Sequence, residues 1–134
     1  KINLKNVDYN VLDGIGVRGE YDLLISNILT EQAGDPEVFV NQYWKTNVDG
    51  SNPQNGSGYS NPEYDALSDQ LASEFDPAKR RDIIIKMEKI VQDDAATLIF
   101  GYPQTNMVSN KSVQNANIYP CDYYWVTKDI TPAK

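Results

Sequence analysis

The hydrophobic pattern is clearest between residues 58 and 102, where it predicts a helix, a tight turn, a second helix and a strand. In each helix, apolar residues recur three or four positions apart, which places them on one face. They are Tyr64, Leu67, Leu71 and Phe75 in the first helix and Ile84, Met87, Ile90 and Val91 in the second. The pattern therefore predicts a packed helical hairpin.

Each predicted helix begins at a polar residue followed by proline. Asn61-Pro62 and Asp76-Pro77 open the two hairpin helices, and Asp35-Pro36 opens an earlier one. The Asn or Asp side chain accepts hydrogen bonds from free N–H groups of the first turn, and proline suits the first helical position. The helix after Asp35 carries an aromatic face formed by Phe39, Tyr43 and Trp44.

Several short segments have strand-like patterns. They are residues 2–5, which alternate apolar and polar side chains, the apolar segments 21–26 and 97–102, and the shorter segments 106–108 and 123–127. Helices combined with these strands predict an α/β fold in which the hairpin packs on a mixed sheet.

Two segments are predicted to lack regular structure, residues 10–19 as a loop or one irregular turn and residues 47–61 as a loop. Residues 10–19 contain Gly14, Gly16 and Gly19, which complete a bare Gly-x-Gly-x-x-Gly pattern. Because a strand-like segment follows it instead of a helix, we interpret the match to a nucleotide-binding loop as accidental. Residues 47–61 are rich in turn dipeptides and predict a long surface loop.

Composition narrows the function. The 134 residues suffice for one domain, and 40% of them are apolar. The net charge of −7 argues against a nucleic-acid partner. The single Cys121 allows no intrachain disulfide, and the lack of histidine excludes His-based zinc sites and triads within the chain. No apolar run is long enough to span a bilayer, and no cofactor is expected.

Three motifs in order carry a family resemblance. They are the segment 19–26 with its glycine-aromatic-Asp pattern, Gly34-Asp35-Pro36, and the hairpin with Gly58-Tyr59, Asn61-Pro62, Asp65, Leu67 and Arg81. Together they resemble the C-terminal lobe of the peptide/nickel class (family 5) of extracytoplasmic solute-binding proteins, which serve ABC importers. In that family a helix usually precedes the glycine-aromatic-Asp strand, so the predicted loop at 10–19 is a departure.

The resemblance implies that residues 1–134 are a C-terminal ligand-binding lobe, or part of one. The expected partners are an N-terminal lobe of the same polypeptide, an ABC permease and a small ligand. The expected location is extracytoplasmic, in the periplasm or lipid-anchored at the cell surface. The ligand is an oligopeptide, which we prefer, or a nickel or other metal chelate. Asp22, Asp65 and Arg81 are expected to be scaffold positions.

The resemblance also implies two groups of ligand contacts. The loop before Asp35 lines the cleft in the family, and here it offers Leu29, Thr30, Glu31 and Gln32. Glu31 could neutralise a peptide ammonium or simply be a solvated carboxylate. The segment after strand 97–102 offers Tyr102, Gln104 and Asn106. Tyr102 can both stack on an apolar group and form a hydrogen bond.

Two other functions remain open at this point. Glu31 and Asp35 could form the carboxylate pair of a glycoside hydrolase, although Asp35 is better explained as a helix cap. A non-enzymatic interaction module could instead use the tyrosine-rich tail, with Tyr119, Tyr123, Tyr124 and Trp125 as anchors.

Overall fold

A computed structural model describes residues 1–27, 35–104, 106–119 and 126–133. The chain divides into two compact units, Lys1–Leu98 and Ile99–Lys134. Among the described residues the first unit contains four helices and the second a pair of short strands. The elements are α1 (Tyr9–Arg18), α2 (Pro36–Trp44), α3 (Pro62–Ser73), α4 (Pro77–Asp93), β1 (Val113–Gln114) and β2 (Thr131–Pro132).

The three predicted helix starts are confirmed. The Asp35 carboxylate accepts from the Glu37 N–H, Asn61 accepts from the first turn of α3, and Asp76 accepts from the first turn of α4. In each case proline occupies the first helical position, as predicted. These caps satisfy N–H groups that no intrahelical carbonyl can reach.

The core of the first unit forms where α2, α3 and α4 meet. Its buried apolar side chains are Val40, Tyr64, Leu71, Ile83, Ile84, Met87 and Val91. The predicted helical hairpin is therefore confirmed. Among the described residues its packing partner is the helix α2, and the predicted mixed sheet is not formed.

Polar contacts fix α2 on the hairpin. The hydroxyl of Tyr64, which is fully buried, donates a 2.7 Å hydrogen bond to the backbone carbonyl of Val40. The Ser68 hydroxyl, also fully buried, donates to the Asn41 side-chain carbonyl at 2.8 Å. Because both groups are buried, each bond avoids an unsatisfied polar atom and so favours this one packing.

The expectation that Phe75 belongs to the apolar face of α3 was wrong. The helix ends at Ser73, and Glu74 is already extended, so the helical spacing from Leu71 does not continue. The Glu74 carboxylate instead accepts from the backbone N–H groups of Phe75 and Asp76, both at 2.9 Å. The Phe75 side chain is left 86% exposed.

The predicted loop at residues 10–19 was also wrong, because this segment forms α1. Asp8 caps the helix by accepting from the Asn10 N–H at 2.9 Å. Gly19, with φ of 64°, ends it, and the Glu20 N–H returns to the Ile15 carbonyl at 3.2 Å. Glycine adopts this left-handed conformation without steric cost, which makes it a common helix stop. A helix therefore does precede the glycine-aromatic-Asp segment, as is usual in the family that the sequence resembles.

The glycine pattern has a packing role. The end of α1 lies against Gly56 in the 47–61 loop, and a Cβ atom on Gly56 would overlap the Gly16 carbonyl oxygen. A Cβ on Gly19 would lie 2.7 Å from the Gly56 carbonyl oxygen. Backbone therefore meets backbone at this contact, which is possible only where side chains are missing.

The predicted strands at residues 2–5, 21–26, 97–102 and 106–108 were wrong within the described residues, since none of these segments pairs with another. Most of their apolar side chains are exposed, with Leu23 84% and Phe100 79% exposed. A strand needs a neighbour that accepts and donates its backbone hydrogen bonds. The sequence pattern reports the tendency to form a strand but not whether a neighbour is present.

The second unit contains the strand pair that the described residues do form. β1 and β2 are antiparallel, with Val113 opposite Pro132 and Gln114 opposite Thr131. The Asn115 side chain supports the pair by donating to the Thr131 hydroxyl at 3.3 Å. Of the predicted strand at 123–127, residues 123–125 lie outside the described residues and the remainder is not a strand.

Truncation of the buried face of α4 should destabilise the first unit. Met87 is fully buried, whereas Ile85 in the same helix is 53% exposed. Met87→Ala should lower the free energy of unfolding by about 2–5 kcal/mol, because it removes buried apolar atoms and leaves a cavity. Ile85→Ala should change it by about 0.5 kcal/mol or less. Urea unfolding followed by circular dichroism measures both, and equal losses would contradict the assigned face.

The glycine contact predicts opposite effects of two Gly→Ala changes. Gly56→Ala should destabilise the chain by about 1–3 kcal/mol, because the methyl group must push α1 away from the loop. Gly14→Ala should be neutral or stabilising by up to about 1 kcal/mol, because alanine favours helix. Its methyl group meets only the movable end of Arg18. Thermal unfolding of both variants tests this, and two changes of the same sign would refute the proposed contact.

Candidate functional site

The predicted ligand contacts lie in two places. Leu29, Thr30, Glu31 and Gln32 lie outside the described residues, which resume at Asp35. Tyr102, Gln104 and Asn106 belong to the second unit and are exposed, Tyr102 to 87%. The Asn106 amide donates to the Gln104 backbone carbonyl at 3.4 Å. Three of the anchors expected in the tyrosine-rich tail, Tyr123, Tyr124 and Trp125, lie outside the described residues, which stop at Tyr119 and resume at Val126.

Asp35 follows directly on the predicted ligand loop, and both of its carboxylate oxygens are engaged. Oδ1 accepts from the Glu37 N–H at 2.9 Å, and Oδ2 pairs with the Arg80 guanidinium at 2.8 Å. This arrangement confirms that Asp35 is a helix cap. Both oxygens thus serve the start of the helix, which favours the cap over the acid/base role that the hydrolase alternative would require.

Arg80, the partner of Asp35, forms four hydrogen bonds with described residues near the start of α2. Its Nη1 donates to the backbone carbonyls of Leu71 at 2.9 Å and Glu74 at 2.8 Å. Its Nη2 donates to the carboxylates of Asp35 and Glu37, both at 2.8 Å. The hydrogen bond with Glu37 is the main reason that the pKa of Arg80 is raised. One guanidinium thus joins the end of α3 and the start of α4 to the start of α2.

Arg81, the residue next to Arg80, was predicted to be a scaffold position, and this prediction was wrong. The Arg81 side chain is 74% exposed, and its ion-pair partner among the described residues is Asp82, at 3.6 Å. The helix periodicity contains the signal that distinguishes the two arginines. Arg80 precedes the buried Ile84 and Met87 by four and seven positions, so it continues the buried face of α4.

Asp65, in contrast, has the expected scaffold role. Its carboxylate accepts from the Thr46 backbone N–H at 2.9 Å, which ties α3 to the residues just after α2. Asp22, the third expected scaffold position, is exposed. The described residues therefore support a scaffold role for Asp65 by a direct contact.

The 47–61 loop is ordered by asparagine side chains. The Asn52 amide donates to the carbonyls of Asn41 at 2.9 Å and Lys45 at 2.7 Å, both at the end of α2. The Asn55 amide donates to the carbonyls of Lys45 at 2.9 Å and Tyr59 at 2.8 Å, and Asn55 is only 3% exposed. The segment is a loop, as predicted, but its asparagines supply the partners that the helix end lacks.

An open depression of about 490 Å3 lies between α2 and this loop, and the sequence did not point to it. Its main polar groups are already engaged, because Asn52 binds the end of α2 and the Lys45 ammonium pairs with Asp69 at 2.7 Å. The lining residues are Val38, Asn41, Gln42, Lys45, Thr46, Ser51 and Asn52. Few groups there remain available to a ligand.

Asp94 closes the other end of the hairpin. One carboxylate oxygen accepts from the Tyr59 hydroxyl at 2.7 Å and from the Asn61 amide at 2.8 Å. The hydrogen bond from Tyr59, followed by that from Asn61, lowers the pKa of Asp94. Burial, followed by the hydrogen bond to Asp94, raises the pKa of Tyr59 to about 12. The start of α3 is therefore linked to the end of α4.

The described residues lack a metal-holding cluster and a membrane-spanning helix. They contain no cluster of three or more His, Cys, Asp or Glu side chains suited to holding a metal ion. None of their helices combines the length and the apolar character needed to cross a membrane.

The chain is similar to the probable D,D-dipeptide-binding periplasmic protein DdpA of Escherichia coli (strain K12). The two sequences are 32% identical over 102 residues, which make up 76% of this chain and 19% of the relative. The match supports a relationship to the family 5 solute-binding proteins. The matched region thus spans about one fifth of the relative's length. No protein-family model matches the chain, and no solved structure matches it significantly.

The junction at Asp94 predicts a defined pH dependence. Tyr59→Phe should be less stable than the wild type at neutral pH, because Asp94 loses a hydrogen bond. Since the folded-state pKa of Asp94 is lowered, this stabilisation exists above its usual value of 3.8 and is lost at lower pH. The pKa of Tyr59 is raised from 10.0 to about 12. The stabilisation by the Tyr59 hydroxyl is therefore also lost as the pH rises from 10.0 to about 12.

Urea midpoints of the wild type and Tyr59→Phe between pH 3 and 12 measure this dependence. The difference in urea midpoint between the two proteins should be largest at pH values where Asp94 is ionised and Tyr59 is still protonated. Tyr9→Phe is the control, because Tyr9 is 64% exposed. A difference that is constant across the whole pH range would show that the bond to Asp94 does not stabilise the fold.

Proposed function

We propose that the chain is the ligand-binding part of a solute-binding protein that captures short peptides for an ABC importer. The observation that carries the proposal is the similarity, over 76% of the chain, to a protein named for binding D,D-dipeptides. The relative is named as a periplasmic protein, so we place this chain on the extracytoplasmic side as well. Its role is binding, not catalysis.

The chain represents a C-terminal lobe, or part of one, of a longer parent protein. The exposed strand-like segments support this assignment. Leu23, Ile25, Leu98 and Phe100 are each at least 68% exposed, although their sequences are typical of buried strands. Their strand neighbours belong to the remainder of the parent, since the matched region of this chain corresponds to only 19% of the relative. The N-terminal lobe is in that remainder.

Two segments carry the ligand contacts. The first is residues 29–32, in which Glu31 neutralises the ammonium group of a peptide. The second is Tyr102, Gln104 and Asn106, whose exposed side chains are available to a ligand. Tyr102 stacks on an apolar group and adds a hydrogen bond. Metal chelates are the alternative ligand class, and the absence of histidine from the chain makes them the weaker one.

Capture depends on two lobes that close over the ligand. The ligand favours the closed form only to the extent that it binds that form better than the open one. Contacts from the second lobe provide this difference, so this chain alone should bind its ligand weakly. The closed, loaded receptor is then the form that the permease recognises.

Calorimetric titration of the full-length parent protein tests the proposal. D-Alanyl-D-alanine should bind, and Glu31→Gln should weaken binding by about tenfold or more, because the ammonium loses its counter-charge. Glu63→Gln is the matched control, since Glu63 is an exposed carboxylate in the first turn of α3. L-Alanyl-L-alanine and a nickel–histidine chelate complete the series.

Each result has a defined meaning. Binding of either dipeptide supports the proposal, and the stronger one identifies the preferred stereochemistry. Binding of the nickel chelate alone would keep the receptor but replace the peptide with a metal chelate. If none of the probes binds and no small molecule co-purifies with the parent in native mass spectrometry, the receptor function is refuted.

A further inference from the structure

One asparagine of the 47–61 loop lies in a chemically reactive sequence. The chain contains a single Asn-Gly pair, Asn55-Gly56. Asparagine is thermolabile, and a following glycine makes it most reactive because no Cβ atom shields the glycine backbone nitrogen. The other asparagines of the loop precede proline, which has no N–H group, or valine, which is branched. They are Asn47, Asn52 and Asn61.

Deamidation of this pair proceeds through a cyclic imide. The Gly56 backbone nitrogen attacks Cγ of Asn55, so that a bond from this nitrogen to Cγ forms and the bond from Cγ to Nδ2 breaks. The proton of the Gly56 N–H leaves with the side-chain nitrogen, which departs as ammonia. Water then opens the imide at either of its carbonyls and leaves aspartate or isoaspartate. Overall, an amide and water yield an acid and ammonia.

Hydrogen bonds of the folded chain hold the Asn55 side chain away from this reaction. Its Nδ2 donates to the carbonyls of Lys45 at 2.9 Å and Tyr59 at 2.8 Å, and its Oδ1 accepts from the Ser57 hydroxyl at 2.8 Å. Asn55 is only 3% exposed. The attack requires the side chain to turn toward the Gly56 nitrogen, which breaks these bonds. Buried polar groups that lose their partners are costly, so the closed loop resists the first step.

The backbone of Gly56 is held as closely as the Asn55 side chain. A Cβ atom on Gly56 would overlap the Gly16 carbonyl oxygen and lie 3.2 Å from the Val17 Cα atom. A Cβ atom on Gly19 would lie 2.7 Å from the Gly56 carbonyl oxygen. Closing the imide ring moves the backbone of the pair, and the end of α1 leaves little room for that movement. The reaction therefore requires the loop to separate from α1.

The product of the reaction cannot restore the native contacts. Aspartate carries a second oxygen in place of Nδ2, so it has no donor for the carbonyls of Lys45 and Tyr59. An ionised carboxylate buried against carbonyl oxygens is strongly unfavourable. Isoaspartate also inserts a methylene group into the backbone, where the loop and α1 meet backbone to backbone. Deamidation thus makes a reversible opening permanent.

We propose that Asn55 is a covalent modification site that is gated by the packing of the 47–61 loop on α1. Asn55 is inert while the loop is closed and deamidates when the loop opens, and the modified loop does not close again. The site therefore keeps a chemical record of local opening in the first unit. The inference does not depend on the ligand, because α1, the end of α2 and the loop carry it alone.

The first test compares deamidation of Asn55 in the full-length protein, folded and in guanidinium chloride at the same pH. Heavy-oxygen water labels the acids that form during incubation, and peptide mass spectrometry locates and quantifies them. Asn55 should deamidate at least about tenfold more slowly in the folded protein, because the reaction proceeds only from the opened fraction. Equal rates in the two states would overturn the inference.

The second test opens the contact from α1 and leaves the Asn-Gly pair unchanged. Gly19→Ala places a methyl group against the Gly56 carbonyl oxygen at a φ of 64°. It should raise the deamidation rate of Asn55 in the folded protein about fivefold or more. Gly14→Ala is the matched control in the same helix, because its methyl group meets only the end of Arg18. It should leave the rate within about twofold of the wild type.

Circular dichroism verifies that each variant keeps its helices under the assay conditions. Ser57→Ala is a second way to loosen the loop, because it removes the hydroxyl that donates to Asn55 Oδ1. It should raise the rate in the same direction as Gly19→Ala. If the folded variants deamidate no faster than the wild type, the packing of the loop does not gate the reaction.

The third test asks whether the modified loop stays open. Asn55→Asp reproduces the main-chain-preserving product, and Asn47→Asp is the matched control. Asn47 uses its oxygen, which accepts from the Asn52 N–H at 3.0 Å and which aspartate retains. Hydrogen exchange in peptides covering 47–61 should be accelerated about tenfold or more by Asn55→Asp and little by Asn47→Asp. Equal exchange in the two variants would show that the modified loop closes again, which contradicts the proposal.

Discussion

The first unit depends on burial of one face of α4. Ile83, Ile84, Met87 and Val91 lie on this face, and each is at most 9% exposed. Burying such a side chain contributes about 1.5–3 kcal/mol, but a single neighbouring helix cannot cover the whole face. α3 covers one side through the short turn at residues 74–76, and α2 covers the other. The packing of α2 is therefore a consequence of the width of this face.

Polar groups at the edges of that face determine where α2 begins and ends. At its start, Arg80 extends the α4 face by one turn and binds Asp35 and Glu37. At its end, the Asn52 and Asn55 amides both donate to the backbone carbonyl of Lys45. Apolar contact alone would tolerate sliding of one helix along another, whereas these bonds are directional. They select one register among many with similar apolar burial.

The sequence predicted those features whose cause is local. Asn61, Asp76 and Asp35 cap helices with groups only two or three residues away, so the caps were readable without a fold. α1 was missed because its glycines suggested a loop, while Asp8 and Gly19 were not weighed as its two caps. The scaffold role was predicted for Arg81 and not for Arg80, because the buried face of α4 was predicted from its apolar residues alone. The strands failed because their formation depends on partners elsewhere.

The exposed strand-like segments and the proposed ligand site have the same explanation, because both need a neighbouring surface. Leu98 and Phe100 are exposed although their neighbours in sequence predict a buried strand. Exposed apolar segments of this kind are typical of a surface that another part of a protein covers. The same holds for a ligand cleft between two lobes, of which one lobe supplies only one wall. The ligand contacts proposed for this chain therefore belong to one wall, and the proposed second lobe supplies the other.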